Sequence, residues 1–171
     1  MTAQRQHRHH KAYCSLFRPA IALIAVLAAG GWPSGVIRAS TTERIVVDHS
    51  SGLAIGGFDP VAYFVDSRPV LGMEQFEAWE RGAVWRFHNE GNRASFLAHP
   101  DIYGPQFGGY DPVDVARGVT VAGNPMFWIV ADQQLFLFSR EASRDAFALD
   151  PERYLRPAMS RWPTLEYQLS R

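Results

Sequence analysis

The sequence is poor in the residues that usually carry chemistry or covalent stabilisation. Its single cysteine, Cys14, lies near the N-terminus, so residues 40–171 can form neither a disulfide framework nor a thiolate metal site. From residue 40 onward no two histidines stand three or four residues apart, which is the spacing of helical metal sites. No recognised catalytic motif is present either. The sequence is therefore more informative about architecture than about chemistry.

An excess of charge of one sign is also absent, because the 171 residues carry 17 basic and 17 acidic side chains. The distribution is uneven: residues 1–39 hold five basic residues and no acid, which leaves 12 basic and 17 acidic residues in the rest. The resulting net charge of −5 for residues 40–171 argues against nucleic acid as a partner, since phosphate binding needs a basic face.

Residues 1–39 resemble a secretory signal peptide, which we expect to be cleaved between Ala39 and Ser40. A basic start is followed by the apolar run Ala20–Ala29, whose 10 residues fall short of the roughly 20 that a spanning helix needs. We therefore expect export to the periplasm or the extracellular space. The alternative is a membrane anchor over residues 20–37, which would be the protein's one contact with a membrane.

A frame that occurs twice organises the remaining sequence. Residues 85–103, WRFHNEGNRASFLAHPDIY, return as residues 136–154, FLFSREASRDAFALDPERY. The Gly-Phe-Asp-Pro-Val segment 57–61 is echoed by Gly-Tyr-Asp-Pro-Val 109–113, at an offset of 52. In the longer frame the offset is always 51, and Phe87, Glu90, Arg93, Phe96, Pro100 and Tyr103 match Phe138, Glu141, Arg144, Phe147, Pro151 and Tyr154.

Each frame predicts a β-hairpin followed by a helix. In the first, strands within Gln75–Phe87 turn at Gly82, and a helix capped at His88 or Asn89 ends near Ala98 because Pro100 follows. The expected buried stripe of this helix is Ala94, Phe96 and Leu97. Upstream, Ala62–Val65 has the composition of a strand, and Ile45–Val47 could form a short one.

The second frame predicts the same order of elements. Strands at Met126–Val130 and Leu135–Phe138 flank a turn, and Ser139 is expected to cap a helix over Arg140–Leu149. A unit of about 50 residues cannot bury both of its faces alone, so two copies should share one core.

The predicted fold class is therefore α+β, with two tandem hairpin–helix repeats packed on one core about a pseudo-two-fold relation. Beyond the signal segment, the expected organisation is a lead-in over residues 40–52, a first repeat over 53–107, a second repeat over 108–159 and a C-terminal tail over 160–171.

Several segments, taken together, are typical of one protein family. They are AIGGFDPVAYF, GAVWRFHNEGNRASFLAHPDIYGPQFGGY, FWIVADQQLFLF and the Arg-Trp-Pro of residues 161–163. In this combination the chain resembles exported YHS-domain proteins, from about Leu53 to Leu165. The resemblance implies a small treble-clef-like frame, of a kind that in the wider family binds metal through cysteines.

Every cysteine position that the resemblance implies carries another residue in this chain. These positions are Ala62 after the Asp-Pro-Val turn, His88 and Asn92 at the strand-to-helix junction, and Asp111 after Gly-Gly-Tyr. The resemblance therefore implies a non-enzymatic, YHS-like binding module that has kept the fold and lost the thiolates. It would serve envelope metal handling or protein assembly, with a protein of unknown identity or a metal ion as partner.

Two alternative functions stay open at this point. One is a copper- or zinc-binding protein that uses His88 with Asp111 and Asp59, because imidazole and carboxylate groups suit these metals. The competing interpretation is structural: the two aspartates would bond local backbone in Asp-Pro turns, and His88 would help to cap a helix.

The other alternative is a small-molecule-binding or enzymatic domain with an aromatic-lined pocket. The strand aromatics are most simply explained as core, although some could line such a pocket. No catalytic residue is assigned, and no cofactor is implied beyond copper or zinc. The aromatics in question are Trp79, Trp85, Phe87, Phe127, Trp128, Phe136 and Phe138.

Overall fold

The computed structural model describes residues 43–170, so the predicted signal segment and its cleavage junction lie outside the described residues. Within this range the chain is mixed α+β, with two antiparallel two-stranded sheets and six α-helices, which confirms the α+β part of the prediction. Among the helices of residues 43–170, none combines the length and the apolar character needed to cross a membrane.

The elements follow one another without long unstructured segments. Two 3-10 turns, Ile55–Gly57 and Gln106–Gly109, precede the first and the fourth helix. In chain order the helices and strands are α1 (Ala62–Val65), β1 (Met73–Glu80), β2 (Ala83–Phe87), α2 (Glu90–Ala98), α3 (Pro100–Tyr103), α4 (Pro112–Val115), β3 (Asn124–Ala131), β4 (Gln134–Phe138), α5 (Glu141–Leu149) and α6 (Pro151–Leu169).

Both predicted hairpins are confirmed. β1 pairs with β2 from Glu80–Ala83 to Met73–Phe87, and β3 pairs with β4 from Ala131–Gln134 to Asn124–Phe138. Each ladder is broken once by a shift of register, at corresponding places. Each turn has two central residues with positive φ, which is the geometry that matches the twist of the flanking strands.

The helices that follow the hairpins begin differently. Asn89 caps α2, since its side-chain oxygen accepts the backbone N–H of Asn92 at 2.8 Å, as predicted. The predicted cap of α5 is wrong: the N-cap residue is Arg140, no side chain caps this end, and the Ser139 hydroxyl donates elsewhere. The predicted stripe of α2 is also partly wrong, because only Phe96 is buried, whereas Ala94 and Leu97 are exposed.

Two segments differ from the predicted secondary structure. Residues 62–65 form the short helix α1 and not a strand, because Asp59 accepts the N–H groups of Val61 and Ala62 and so starts a helical turn. Its apolar composition reports burial and not strand geometry. Residues 160–169, expected as a tail, are the second half of α6, which continues through two internal prolines.

Strand β4 lies between two hydrophobic clusters. Leu135 and Leu137 pack with Trp85 of β2 and other residues of the first cluster, whereas Phe136 and Phe138 belong to the second. These four residues of β4 are all buried, the two leucines in the first cluster and the two phenylalanines in the second. The second cluster is completed by α4, α5 and α6, and the backbone N–H of residue 43 donates to the carbonyl of residue 169 at 3.0 Å. The first described residue is thus hydrogen-bonded to the end of the last helix.

Gly72 and Gly123 lie at corresponding places where the backbone is closely packed. The N–H of Gly72 donates to the carbonyl of Gly57, and the N–H of Gly123 donates to the carbonyl of Gly109, both at 2.9 Å. A Cβ on Gly72 would lie 2.4 Å from the carbonyl carbon of Arg86. Since backbone atoms cannot give way, we expect Gly72→Ala to lower the free energy of unfolding by about 3 kcal/mol in chemical denaturation.

The matched control is Gly52→Ala. Gly52, unlike Gly72, has a positive φ, and a Cβ there would meet nothing within 4 Å. Only the cost of a left-handed conformation remains, about 1 kcal/mol. Equal losses in the two variants would contradict the close approach of β2 to residue 72.

Candidate functional site

The Asp59 carboxylate is fully buried and joins two parts of the first half of the fold. One of its oxygens accepts the backbone N–H of Val61 at 2.9 Å, which holds the Asp-Pro turn. The other accepts the backbone N–H of His88 at 2.8 Å and the side-chain amide of Asn92 at 2.7 Å. A buried carboxylate needs such donors to compensate for lost hydration, so this site is a structural hub between the turn and the β2–α2 junction.

Asp111 makes the corresponding connection in the second half and is also fully buried. It accepts the N–H of Val113 at 2.9 Å, and its other oxygen accepts the N–H and the hydroxyl of Ser139 at 2.9 and 2.7 Å. Beside it the buried carboxylate of Asp114 pairs with Arg140 at 3.2 Å. The second hub therefore ties the Asp-Pro turn to the β4–α5 junction, with an added ion pair at its outer side.

The two hubs differ at one buried helix position. Asn92 is the third residue of α2 and donates to Asp59, whereas Ser143, the third residue of α5, is buried with a hydroxyl that has no hydrogen-bond partner within residues 43–170. Ser139 supplies the side-chain donor to Asp111 instead. The hub is conserved in geometry between the halves, although a different residue closes it.

The structure does not assemble the three candidate metal ligands into one site. Asp59 and His88 are neighbours, but His88 contributes its backbone N–H and its side chain is exposed. Asp111 belongs to the other hub, with Ser139. Across residues 43–170, no group of three or more His, Cys, Asp or Glu side chains is placed so that it could hold a metal ion. The interpretation of both aspartates as turn residues is confirmed by their bonds to Val61 and Val113.

Tyr63 links the first hub to the second hairpin. Burial, together with the nearby charge of Asp59, raises the pKa of Tyr63, so its hydroxyl keeps its proton at neutral pH. That hydroxyl donates to the carbonyl of Pro125 at 3.0 Å, and the ring meets Trp128 edge-on, with centroids 5.3 Å apart. The role of Tyr63 is therefore to join the two halves.

The strand aromatics mostly form core, as predicted. Trp85, Phe87, Phe136 and Phe138 are buried, and only Trp79 stands out, with 70% of its surface exposed. None of the strand aromatics named from the sequence lines the three depressions described below, all within residues 43–170. The cleft described next does contain aromatic residues, but these are Phe107 and Trp162.

A cleft of about 760 Å³ lies where the ends of the two hairpins approach the C-terminal helix. Two shallower depressions of about 200 and 270 Å³ lie along the lead-in. The cleft receives residues from the lead-in, the β1–β2 turn, α3, the segment before α4, the first residue of β4, and α6. Its lining is Arg44, Ile45, Arg81, Gly82, Asp101, Gly104, Pro105, Gln106, Phe107, Gly108, Gln134, Trp162 and Glu166.

The base of the cleft is held in a defined shape. Phe107 adopts a positive φ of 53°, which is unusual for a side chain of this size, and its ring packs edge-on against Trp162 at 5.7 Å. Trp162 also lies 6.0 Å from the ring of Tyr110. The carbonyl of Gly108 accepts the N–H of Val46 at 2.8 Å, so the lead-in is fixed against this segment.

Charged groups of both signs line the cleft. At the rim, Arg81 of the β1–β2 turn pairs with Asp101 of α3. Arg44 and Glu166, by contrast, form no ion pair or side-chain hydrogen bond that the structure records within residues 43–170. The amides of Gln106 and Gln134 are likewise uncommitted in this part of the chain. Within the described residues, four polar side chains of the cleft are therefore without a side-chain partner.

Sequence reasoning missed the cleft as a site. Arg81 lies in a turn that the sequence marks only by Gly82, and Trp162 belongs to the Arg-Trp-Pro segment 161–163. The available signal was the Gly-Pro-Gln-Phe-Gly-Gly segment 104–109, in which glycines allow close backbone approach beside an amide and an aromatic side chain.

Comparison with known proteins returns no match: no family model, no curated protein and no solved structure is significantly similar to this chain. The candidate site is therefore interpreted from its own geometry.

The difference between the hubs leads to a rescue experiment. Ser139→Ala removes the hydroxyl that donates to Asp111, and we expect the free energy of unfolding to fall by about 1–3 kcal/mol, as for a hydrogen bond to a charged group. Adding Ser143→Asn places a side-chain amide in α5 at the position that corresponds to Asn92 in α2, where the amide donates to Asp59. We expect this second change to recover part of the loss, measured by chemical denaturation.

The control for the rescue is Ser143→Asn in the otherwise unchanged chain. There Ser139 already supplies the side-chain donor, so we expect the added amide to stabilise less than it does in the Ser139→Ala background. An identical effect in both backgrounds would show that residue 143 does not reach Asp111.

The geometry also predicts the outcome of a metal test. Because the side chain of His88 is exposed and Asp59 is occupied by N–H donors, we expect His88→Ala to leave any uptake of Zn²⁺ or Cu²⁺ unchanged. Elemental analysis and calorimetric titration of protein without a tag provide the measurement. Sub-micromolar binding that His88→Ala weakens would instead support the copper or zinc function.

Proposed function

We propose that this chain is an exported, non-enzymatic binding module of YHS-like type, built from two tandem hairpin–helix repeats that hold a polar organic ligand in the cleft between their ends. The observation that carries the proposal is the cleft itself. It is lined by polar side chains from both halves, several of which have no side-chain partner within residues 43–170. Export rests on the sequence of residues 1–39, and the type of module rests on the resemblance in sequence.

Geometry common to the two halves supports the tandem repeat. The hairpins have the same strand lengths and the same register, broken at corresponding residues. The Asp59 and Asp111 hubs tie equivalent turns to equivalent junctions. The bond from Gly72 to Gly57 has its counterpart between Gly123 and Gly109. All of these pairs keep the offsets of 51 or 52 residues that the sequence shows.

The hubs also support a frame that has dispensed with thiolates. The resemblance assigns cysteines to positions 62, 88 and 92, on the turn and the junction that Asp59 now joins by hydrogen bonds. A metal held by those cysteines would connect the same segments. A buried carboxylate with several N–H donors can therefore maintain the connection without a metal ion.

The position of the cleft explains why such a module would need both halves. Arg81 comes from the end of the first hairpin, Gln134 from the start of β4, and Trp162 and Glu166 from α6 beyond the second. Neither half contains all of these groups. A volume of about 760 Å³ lies within the usual range for small-ligand sites, roughly 300–1,000 Å³.

Nuclear magnetic resonance on the full chain labelled with ¹⁵N tests the proposal. We expect members of a panel of free amino acids, short peptides and oligosaccharides to shift the indole N–H signal of Trp162, because that ring lines the cleft. The buried indole of Trp85, which donates to the carbonyl of Glu80 at 3.0 Å, should not move. Trp162→Phe assigns the signal, and ligands that shift only Trp79 would contradict the site.

A further inference from the structure

We infer that the ligand of this cleft is a short peptide with free termini, whose carboxylate pairs with Arg44 and whose ammonium group pairs with Glu166. The inference rests on the proposed binding function and names the chemical class of the ligand. It starts from the two charged side chains of the cleft that lack a partner within residues 43–170.

The two charges come from different parts of the fold and do not pair with each other. Arg44 belongs to the lead-in and Glu166 to the last turns of α6, and no ion pair joins them, so their charged atoms are more than 4.0 Å apart. Arg81, the other cation of the lining, is already paired with Asp101. A ligand group that enters between Arg44 and Glu166 therefore meets one free charge of each sign.

The balance of charge excludes several ligand classes. A phosphate or another dianion would face the carboxylates of Asp101 and Glu166, and a polycation would face Arg44 and Arg81. A neutral sugar would offer hydroxyl groups to Arg44 and Glu166 but no counter-charge, so it would form weaker hydrogen bonds there than a charged group does. A zwitterion satisfies both, because each terminus forms a charge-assisted hydrogen bond with the side chain of opposite sign.

The remaining lining suits the middle of a peptide. The side-chain amides of Gln106 and Gln134 each offer donors and an acceptor, which match the N–H and C=O of a peptide group. Phe107 and Trp162, packed edge-on at 5.7 Å, form an aromatic wall for an apolar side chain. A peptide of two to four residues, about 7–14 Å when extended, holds its two charged termini apart and so can reach two side chains that do not pair with each other.

Calorimetric titration of the full chain with the dipeptide Ala-Phe tests the inference. We expect Ala-Phe to bind at least tenfold more tightly than N-acetyl-Ala-Phe or Ala-Phe-amide, since each blocked form loses one terminal charge. Arg44→Gln should abolish the preference for the free carboxylate over the amide and keep the preference for the free amine. Glu166→Gln should do the reverse.

The matched control is Arg156→Gln. Arg156 lies on α6, is strongly exposed and makes only a distant contact with Glu152 at 3.9 Å, so we expect unchanged affinities. Equal binding of free and blocked peptides, or binding of an oligosaccharide alone with a shift of the Trp162 indole, would overturn the peptide inference and leave the cleft function standing. Failure of the peptides and of the whole panel to shift Trp162 would overturn both.

Discussion

The fold depends on the burial of strand β4 on both faces. In most two-stranded sheets one face meets water, and the side chains alternate between apolar and polar. In β4, Leu135 and Leu137 enter the first hydrophobic cluster, and Phe136 and Phe138 enter the second. Each fully buried side chain of this kind contributes about 1.5–3 kcal/mol relative to an exposed one. The strand therefore couples the two clusters, and neither half can be displaced without exposing one face of β4.

The buried carboxylates provide the second level of order. Hydrophobic burial is not directional, so the clusters alone do not fix how each Asp-Pro turn meets the following strand and helix. Asp59 and Asp111 supply that direction, since each is fully buried and accepts hydrogen bonds from two segments of the chain. Removal of such donors would leave a charge without compensation, which strongly disfavours other arrangements of the same elements.

Local rules made the hairpins and the first long helix predictable from the sequence. The two-residue turns and the Asn89 cap depend on neighbours within four positions. The rules failed where distant contacts decide. Residues 62–65 look like a strand because they are apolar, but buried helical turns have the same composition. Residues 160–171 are expected to form a tail, yet α6 continues through Pro157 and Pro163 because Trp162 and its neighbours pack on the second cluster.

The cleft could not be predicted from short stretches of sequence, because its lining residues come from distant parts of the chain. Since β4 turns one face toward each cluster, the ends of both hairpins lie beside the segment that carries Gly108. The N–H of Val46 donates a hydrogen bond to that segment, and the ring of Trp162 packs against the ring of Phe107. The cleft is therefore lined by segments that packing already orders. A preformed cleft costs little conformational entropy when a ligand enters. Arg44 and Glu166, which form no ion pair within residues 43–170, are over one hundred positions apart in the sequence, so only the fold brings them to one cleft.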